Sequence, residues 1–312
     1  MEVLRSLDTF KKLSSSVLTI GSYDGIHRGH REILTTLVHN AYARKMKSVL
    51  VTFDPHPKQV IGLDGKNLAL IMSIEEKMAM FKKIGIDIVY LINFTKTFSK
   101  TSAKDFLDDI IMPFFSPELI ITGYDHHFGN KREGSPSFLM DFCSEHSIGL
   151  DIVEPISDDG HILSSSRIRK LIEQGYVRRA NFELGFVYGF MGLVIKGSGR
   201  GRDLNFPTAN IVPVEKYQLM PKTGVYFIRG RINGQNAFGM CNFGTRPTFN
   251  ESELVMEIHF FHDDYFNLYG KKIRVEFLER IRDEKKFPSP ESLKEQLEID
   301  KQVCLNLKGK YE

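Results

Sequence analysis

The sequence predicts an α/β protein of two domains, a Rossmann-like parallel sheet flanked by helices followed by a small antiparallel β-barrel with a terminal helix. The chain has 312 residues, enough for about two domains at roughly 150 residues each. Its first part alternates strand and helix patterns, whereas its second part has short apolar runs separated by Gly, Asn and Pro turns. Alternating strands and helices favour a parallel sheet covered by helices, and closely spaced short strands favour a barrel.

The first predicted strand and helix surround a glycine-rich turn. Residues 17–20 form an apolar run that ends at Gly21, and apolar side chains recur at helical spacing over residues 33–41. Further strands are predicted over residues 48–53, 86–92, 119–122 and 148–153, and further helices over residues 75–83, 136–146, 166–174 and 177–184. Ligands of such sheets bind beyond the carboxyl ends of the strands, so the turns after the strands are candidate sites.

The second part changes in pattern and in composition. Apolar runs over residues 192–195, 224–228 and 254–261 show little helical periodicity, which predicts the barrel. Eight of the ten histidines precede Phe186, whereas half of the 24 phenylalanines lie in the shorter part that follows Gly185. We therefore expect domains of residues 1–185 and 186–312.

A terminal helix is predicted from the start signal Ser289-Pro290. Leu293, Leu297 and Cys304 share one face of this helix, which would cover the barrel.

The charge distribution argues against a nucleic-acid partner. The net charge is +3, with 23 basic and 23 acidic residues before residue 186 and 19 basic and 16 acidic residues after it. Nucleic-acid binding requires a concentrated basic stripe or patch, and neither part has one. Small phosphorylated molecules remain compatible with this balance.

A membrane-spanning protein and a protein stabilised by disulfides are also disfavoured. No apolar run approaches the roughly 18 to 20 residues that cross a bilayer. The order of charged and apolar residues near the N-terminus is not that of a secretion signal, so a cytoplasmic protein is expected. Cys143, Cys241 and Cys304 lie too far apart for a disulfide framework or a zinc-ligand pair, and we expect buried, inert thiols.

The turn after the first strand carries two histidines. Residues 21–30 read Gly-Ser-Tyr-Asp-Gly-Ile-His-Arg-Gly-His, and they place His27 and His30 at the start of a helix. A helix N-terminus favours phosphate, and imidazoles there can donate hydrogen bonds as negative charge grows in a transition state. The alternative is a glycine-rich turn with incidental exposed histidines.

A second candidate phosphate site opens the helix predicted near residue 166. Ser164, Ser165 and Ser166 precede Arg169. Serine is a preferred helix cap, and free backbone amides with an arginine can hold a phosphate. A simple capped helix is the alternative.

The glycine loop at residues 197–202 lacks the spacing of a dinucleotide-binding fingerprint and the lysine of a P-loop. It leads to Thr208 and Asn210, which point the same way along a strand. Their oxygen atoms suit Mg²⁺, which often bridges substrate phosphates. The alternative is a glycine-rich hairpin followed by a proline turn.

Glu257 interrupts the apolar run at residues 254–261. Strand alternation places it on one face with Val255 and His259, which requires explanation if that face is the barrel interior. An exposed strand glutamate is the alternative.

Together these motifs resemble a known family. The pattern HxGH at His27–His30 with SSSxxR at Ser164–Arg169 is similar to the nucleotidylyltransferase superfamily. Residues 52–57, Thr-Phe-Asp-Pro-His-Pro, and 123–129, Gly-Tyr-Asp-His-His-Phe-Gly, resemble the FMN adenylyltransferase domain of bacterial bifunctional riboflavin kinase/FAD synthetases. Residues 197–210 resemble the riboflavin kinase signature, with Asn205 where the family usually has glycine. If that position needs a positive φ angle, asparagine is the least costly replacement.

For the first domain, the resemblance implies a nucleotidylyltransferase-type fold that adenylylates FMN to FAD. It implies that His27 and His30 bind ATP phosphates and stabilise the transition state, and that Arg169 with Ser164, Ser165 and Ser166 holds the outgoing pyrophosphate. Gly21, Asp24 and Gly29 belong to the implied phosphate site, and Asp54 and Asp125 to the implied flavin site. For Asp54 and His56 a purely structural turn stays possible, and His126 and His127 are expected to be solvated or packing residues.

For the second domain, the resemblance implies phosphorylation of riboflavin to FMN. Gly197, Gly201 and Arg202 would cover the ATP phosphates, and Thr208 and Asn210 would ligate Mg²⁺. Glu257 would be the general base. The implied ligands are riboflavin, FMN, FAD, ATP, ADP and pyrophosphate. A kinase whose first domain is degenerate or has another acceptor, and a flavin-binding regulator without turnover, remain alternatives.

Overall fold

A computed structural model of the chain describes residues 1–62, 68–197, 205–232, 234–247, 252–261 and 268–312. Its contacts divide into two compact units, Met1–Ser165 and Ser166–Glu312. The sequence boundary after Gly185 differs from this division, because the helices within residues 166–184 group with the second unit. None of the helices in the described ranges is long and apolar enough to span a membrane.

The first unit contains a six-stranded sheet in the order β1-β4-β3-β2-β5-β6, with parallel pairing throughout. The strands are β1 Glu2–Leu4, β2 Ser16–Ile20, β3 Lys47–Asp54, β4 Ile88–Asn93, β5 Pro117–Gly123 and β6 Gly149–Val153. Every residue of β2 is buried, as expected for a strand covered by helices on both faces. The predicted parallel α/β fold is confirmed, and β1 is a strand that the sequence did not predict.

Helices connect these strands. They are α1 Arg28–Ala43, α2 Pro57–Ile61, α3 Ile74–Ile84, α4 Ala103–Phe106, α5 Met112–Phe115 and α6 Pro136–Glu145, and a π-helical segment, Leu107–Ile111, joins α4 to α5. Helix α3 begins with a reciprocal Ser73–Glu76 capping box and ends at Gly85 in the left-handed conformation. The helical stretch from α4 to α5 was not predicted, because Pro113 within it is a residue that normally ends a helix. A short antiparallel pair, β7 Ser157–Asp158 and β8 His161–Ile162, follows β6.

The second unit contains a closed six-stranded antiparallel barrel in the order β10-β13-β12-β11-β14-β9. Its strands are β9 Gly189–Ile195, β10 Ala209–Pro213, β11 Gly224–Ile232, β12 Gln235–Pro247, β13 Ser252–Phe260 and β14 Lys272–Arg282. The predicted barrel is confirmed, and β10 lies where Thr208 and Asn210 were expected on a strand, although β12 and β14 were not predicted as strands. Strand β12 contains Gly239 and Gly244, which resemble turn residues when read from the sequence alone.

Three helices lie in the described ranges of the second unit. They are α7 Ser165–Glu173, which starts at the last residue of the first unit, α8 Val177–Leu184 and α9 Pro290–Lys308. Asn181 ties α8 to the barrel, since its Nδ2 donates to the Phe277 carbonyl at 2.8 Å and its Oδ1 accepts from the Tyr188 amide at 2.7 Å. Helix α9 packs on the barrel through the buried Cys304, beside Phe227, Phe238 and Leu278. The predicted terminal helix therefore covers the barrel as expected.

Candidate active sites

The first site is built on the turn that joins β2 to α1. His27 is the N-cap of α1, and its Nδ1 accepts the His30 backbone N–H at 3.4 Å. The two imidazoles stack with their centroids 3.7 Å apart. The structure thus brings together the two histidines that the sequence singled out, beside the first free amides of a helix.

The protonation of His27 follows from this arrangement. The ring is buried, and burial lowers its pKa to about 4, so it is neutral at pH 7. Because Nδ1 accepts the His30 amide hydrogen, the ring hydrogen of the neutral imidazole is on Nε2. His27 is therefore prepared to donate one hydrogen bond from Nε2 to an oxygen of a ligand.

Asp24 and Gly21 shape the same turn. Asp24 is buried, its carboxylate accepts the Ile71 amide at 3.3 Å, and its carbonyl accepts the Ser165 hydroxyl at 2.8 Å. A Cβ on Gly21 would lie 2.7 Å from the Tyr23 ring, so a side chain at that position would displace the tyrosine. Gly29 lies in the first turn of α1.

The predicted pyrophosphate residues lie at the start of α7. Ser164 and Ser165 are partly buried and end the first unit, and the Ser165 hydroxyl is the donor to Asp24 described above. In the second unit, Ser166 is exposed and Arg169 is 8% exposed. Their predicted role in pyrophosphate binding stays a prediction.

A cavity of about 310 Å³ lies where the strands of the sheet end. Its walls include Phe53, Phe94, Phe98, Phe106 and Phe128, and basic side chains at its border are Lys58, Lys131 and Arg132. Gly21 and Ser22, the first residues of the histidine turn, also line it. Apolar aromatic walls with cations at the border suit a planar ring that carries an anionic group.

The two predicted flavin residues lie beside this cavity rather than among its described lining residues. Asp54 ends β3 and forms a weak ion pair with the exposed Arg5 at 3.8 Å, and Asp125 is exposed. His56 lines the cavity and also caps α2 by accepting the Lys58 amide at 3.1 Å.

His126 and His127 both line the cavity as well. The His126 ring stacks on Phe128 with centroids 5.7 Å apart, and burial, with smaller contributions from His127 and Arg132, lowers its pKa to about 4. His126 is thus a packing residue, as expected, yet one that borders a binding cavity. The phenylalanines after the strand ends were the sequence signal for this cavity, and sequence reasoning did not use it.

The second site lies on the outer surface of the barrel. Glu257 on β13 pairs directly with Asn210 on β10 and with Asn242 on β12, so three polar side chains form a row across three strands. Met256 and Ile258 alternate with Glu257 and are fully buried in the barrel. Glu257 is therefore not on the interior face, and its place in an apolar run is explained.

A cavity of about 330 Å³ opens beside this row and is bounded on the other side by α9. Its described lining residues are Phe206, Thr208, Val225, Met240, Asn242, Glu257, His259, Arg282, Glu284, Lys285, Phe287, Leu293 and Leu297. Asn210, the member of the row on β10, is buried at 6% exposure. A hydroxyl, two amides and a carboxylate in one region form an oxygen-rich donor set of the kind that Mg²⁺ prefers.

Gly197 and residues 205–208 are the described residues of the segment before β10. A Cβ on Gly197 would collide with the Asn210 side-chain amide, so a side chain there would displace that amide. Asn205 has φ 62°, which confirms that the position needs a positive φ angle. The Nδ1 of His259 donates to the Pro207 carbonyl oxygen at 3.0 Å and so holds the residue next to Thr208. Gly201 and Arg202 lie outside the described residues.

The three cysteines are free and buried, as expected. Burial raises the pKa of each thiol, to about 11 for Cys143 and about 12 for Cys304. Thiols that stay protonated at neutral pH are poor nucleophiles, so neither site depends on them.

Comparison with known proteins gives consistent matches over the chain. The FAD synthetase family model matches residues 9–167, and the riboflavin kinase family model matches residues 184–308. The bifunctional riboflavin kinase/FMN adenylyltransferase of Bacillus subtilis is 34% identical over 295 residues, which covers 94% of this chain and 92% of that protein. The Escherichia coli K12 protein of the same name is 30% identical over 303 residues, 96% of each chain. A crystal structure from Streptococcus pneumoniae, described as a macrolide-efflux protein, matches with a TM-score of 0.88 at 30% identity and covers 97% of this chain and 98% of its own.

Proposed function

The chain belongs to the family of bifunctional riboflavin kinase/FMN adenylyltransferases, and from this premise we propose which residues perform each of its two reactions. It is an enzyme of flavin cofactor biosynthesis that phosphorylates riboflavin to FMN and adenylylates FMN to FAD, with ATP as the second substrate of both steps. The observation that carries the assignment of residues is the presence of two separate cavities, one beside the histidine turn and one beside Glu257.

We assign FMN adenylylation to residues 1–185 and riboflavin phosphorylation to residues 186–312. The matches to residues 9–167 and 184–308 support this functional boundary. We also propose a cytoplasmic location, which the three free, buried cysteines suit because a reducing compartment keeps thiols free.

In the kinase reaction, riboflavin occupies the cavity between the barrel and α9. Glu257 takes the proton of the 5′-hydroxyl as that oxygen attacks the γ-phosphorus of ATP, and the bond to the β,γ-bridging oxygen breaks to release ADP. A well-placed general base contributes about 10² to 10⁴ in rate. Asn210 and Asn242 lie on either side of Glu257 in the polar row.

Thr208 and Asn210 are the residues that would hold Mg²⁺ in the kinase site. When bound, the ion neutralises phosphate charge and orients the γ-phosphate. Gly197 leaves room for the Asn210 amide, and Gly201 and Arg202 are assigned to the ATP phosphates from the family resemblance.

In the adenylyltransferase reaction, a phosphate oxygen of FMN attacks the α-phosphorus of ATP, and the bond to the α,β-bridging oxygen breaks to release pyrophosphate. The isoalloxazine ring lies in the aromatic cavity, and the phosphate lies at its Gly21–Ser22 end, next to the histidine turn. His27 donates from Nε2, and His30 and the first amides of α1 add further donors to the charge that develops on phosphate oxygens.

The remaining predicted residues complete this proposal. Gly21, Asp24 and Gly29 shape the turn, Asp54 and Asp125 are assigned to the flavin side, and Arg169 with Ser164, Ser165 and Ser166 is assigned to pyrophosphate. No covalent intermediate is needed, because positioning and charge stabilisation suffice for phosphoryl chemistry of this type.

Separate variants of the two sites test the assignment. With riboflavin and MgATP, the wild-type enzyme is expected to form FMN and then FAD, resolved by chromatography. E257Q is expected to lower FMN formation at least about 10²-fold through loss of the base, while FAD synthesis from supplied FMN continues. H30A is expected to do the reverse.

Two exposed residues provide matched controls, Glu298 on α9 for Glu257 and His39 on α1 for His30. E298Q and H39A should leave both reactions unchanged. If either active-site variant stops both reactions in a folded protein, the division of the two reactions is wrong. The absence of both FMN and FAD with the wild-type protein would contradict the function itself.

A further inference from the structure

Lys77 on α3 is a buried cation directly behind the histidine turn. It is 5% exposed, and its ammonium donates to the carbonyl oxygen of Ser22 at 3.3 Å. Asp24 on the turn and Asp54 at the end of β3 are the carboxylates whose charges act on it. A buried charge is costly unless it is paired and hydrogen-bonded, so its position beside an active site calls for a role.

The backbone of the turn adopts conformations that need support. Tyr23 has φ 47° and Ile26 has φ 34°, on either side of Gly25 at φ 80°. Such angles are uncommon for bulky residues and persist only where the surrounding structure fixes them. The Tyr23 side chain is fixed by its hydroxyl, which shares a hydrogen bond of 2.6 Å with the Thr19 hydroxyl.

The peptide that precedes Tyr23 is fixed from the other side by Lys77. The Ser22 carbonyl oxygen accepts a hydrogen bond from the Lys77 ammonium. The other described donor to this oxygen is the Thr52 hydroxyl at 3.5 Å, which is a longer and weaker contact. In a planar trans peptide the C=O and N–H bonds point in opposite directions. The bond from Lys77 therefore also sets the direction of the Tyr23 N–H.

This peptide lies between the two parts of the first site. Gly21 and Ser22 line the aromatic cavity, and His27 follows on the same turn. Lys77 is absent from the described lining residues of this cavity, and its ammonium contacts the turn at the Ser22 carbonyl. A change at Lys77 would alter the turn at the Ser22 edge of the cavity and leave the aromatic walls in place.

We propose that Lys77 is a positioning residue for adenylyl transfer, which holds the Ser22–Tyr23 peptide so that the histidine turn meets the reacting phosphates. The proposal rests on the assignment of FMN adenylylation to the histidine turn. It predicts a larger effect on turnover than on flavin binding, since flavin binding depends mainly on the aromatic walls of the cavity.

The test compares K77M with K82M in the full-length enzyme. Methionine keeps the length of the lysine side chain but removes its charge and donors, and Lys82 is an exposed residue of the same helix. K77M is expected to lower kcat for FAD formation from FMN by about 10- to 100-fold, the scale expected for a small misplacement of reacting groups. Its KM for FMN should stay within about threefold of wild type, and K77R, which retains a cationic donor, should recover most of the rate.

The pH profile gives a second readout. Burial lowers the pKa of Lys77, opposed by Asp24 and Asp54, so wild-type turnover should fall on the alkaline side below the ordinary lysine range. An arginine stays protonated, so K77R should keep its rate to higher pH. This comparison needs only folded K77R, and it applies even if K77M proves unstable.

Each outcome decides the proposal. The proposal is wrong if K77M and K82M have the same kcat, or if K77M loses kcat and FMN binding together. It is also wrong if the rates of wild type and K77R fall at the same alkaline pH. H30A, assayed in parallel, separates this failure from that of the site assignment, because an active H30A protein would contradict the assignment itself.

Discussion

The imidazole of His27 is both the N-cap of α1 and the stacking partner of His30. One side chain therefore ends the turn, starts the helix and presents Nε2–H to a ligand. The sequence predicted the pair from its glycine-rich turn, since glycines and a following helix are local signals. The tautomer and the neutral state were not predictable, because they depend on burial by residues distant in the sequence.

At the residue scale, His27 should make the first unit less stable in acid. Its pKa is about 4 in the folded protein and 6.5 when exposed, so the unfolded chain binds more protons between these values. Stability is therefore expected to fall as pH drops from about 6.5 to 4, by about 3 kcal/mol from this group at 1.4 kcal/mol per pH unit. Urea unfolding at a series of pH values measures the slope.

The variant H27Q should flatten this slope, because glutamine does not titrate. H39Q changes an exposed histidine of the same helix and should leave the slope as in wild type. Equal slopes in H27Q and wild type would show that His27 does not carry the acid sensitivity.

At the scale of an element, α9 both packs on the barrel and forms one wall of the cavity beside it. The sequence predicted this helix and its apolar face because Ser289-Pro290 and the spacing of Leu293 and Leu297 are local patterns. It did not predict the partner of Asp300, which is buried on α9 and forms a bidentate ion pair with Arg282 of β14 at 2.7 to 3.0 Å. Arg282 and two leucines of α9 line the same cavity, so this pair holds two of its walls together.

Loss of this pair should loosen the cavity. D300N is expected to destabilise the second unit by about 3 kcal/mol, since Arg282 loses a buried partner. The KM for riboflavin should rise roughly tenfold, equivalent to about 1.4 kcal/mol of binding, while FAD synthesis from FMN stays unchanged. Denaturant unfolding and kinase assays measure the two effects, with E298Q as the exposed control on the same helix. An unchanged KM in a destabilised variant would limit Asp300 to a structural role.

At the scale of the whole molecule, the two predicted fold types are both present, and each unit has its own core. The sequence predicted them because strand and helix periodicities are local. It placed α7 and α8 with the sheet, whereas the structure groups residues 166–184 with the barrel. The hydrogen bond from Asn181 to the Phe277 carbonyl joins residues 96 positions apart, and no local sequence pattern predicts such a contact. The position of Lys77 behind the histidine turn escaped prediction for the same reason, since Lys77 and Ser22 are 55 positions apart.

The two reactions should be separable between molecules. FMN made by one chain can reach another through solution, so a mixture of E257Q and H30A proteins is expected to convert riboflavin to FAD although neither protein does so alone. The yield should rise with the concentration of H30A, the variant that supplies FMN. Chromatography of the flavins follows both stages. If the mixture makes FMN but no FAD, both sites must be intact within one chain.

The two six-stranded sheets of the described structure end differently. The barrel closes on itself through β9 and β10, whereas the sheet of the first unit stops at β1 and β6. An unpaired strand can recruit a strand of another chain, and short length or a charged residue limits this. The end strands have only three and five residues, and β6 carries Asp151. Among the described strands, the hazard of aggregation during folding therefore lies with the first unit, and its short ends limit that hazard.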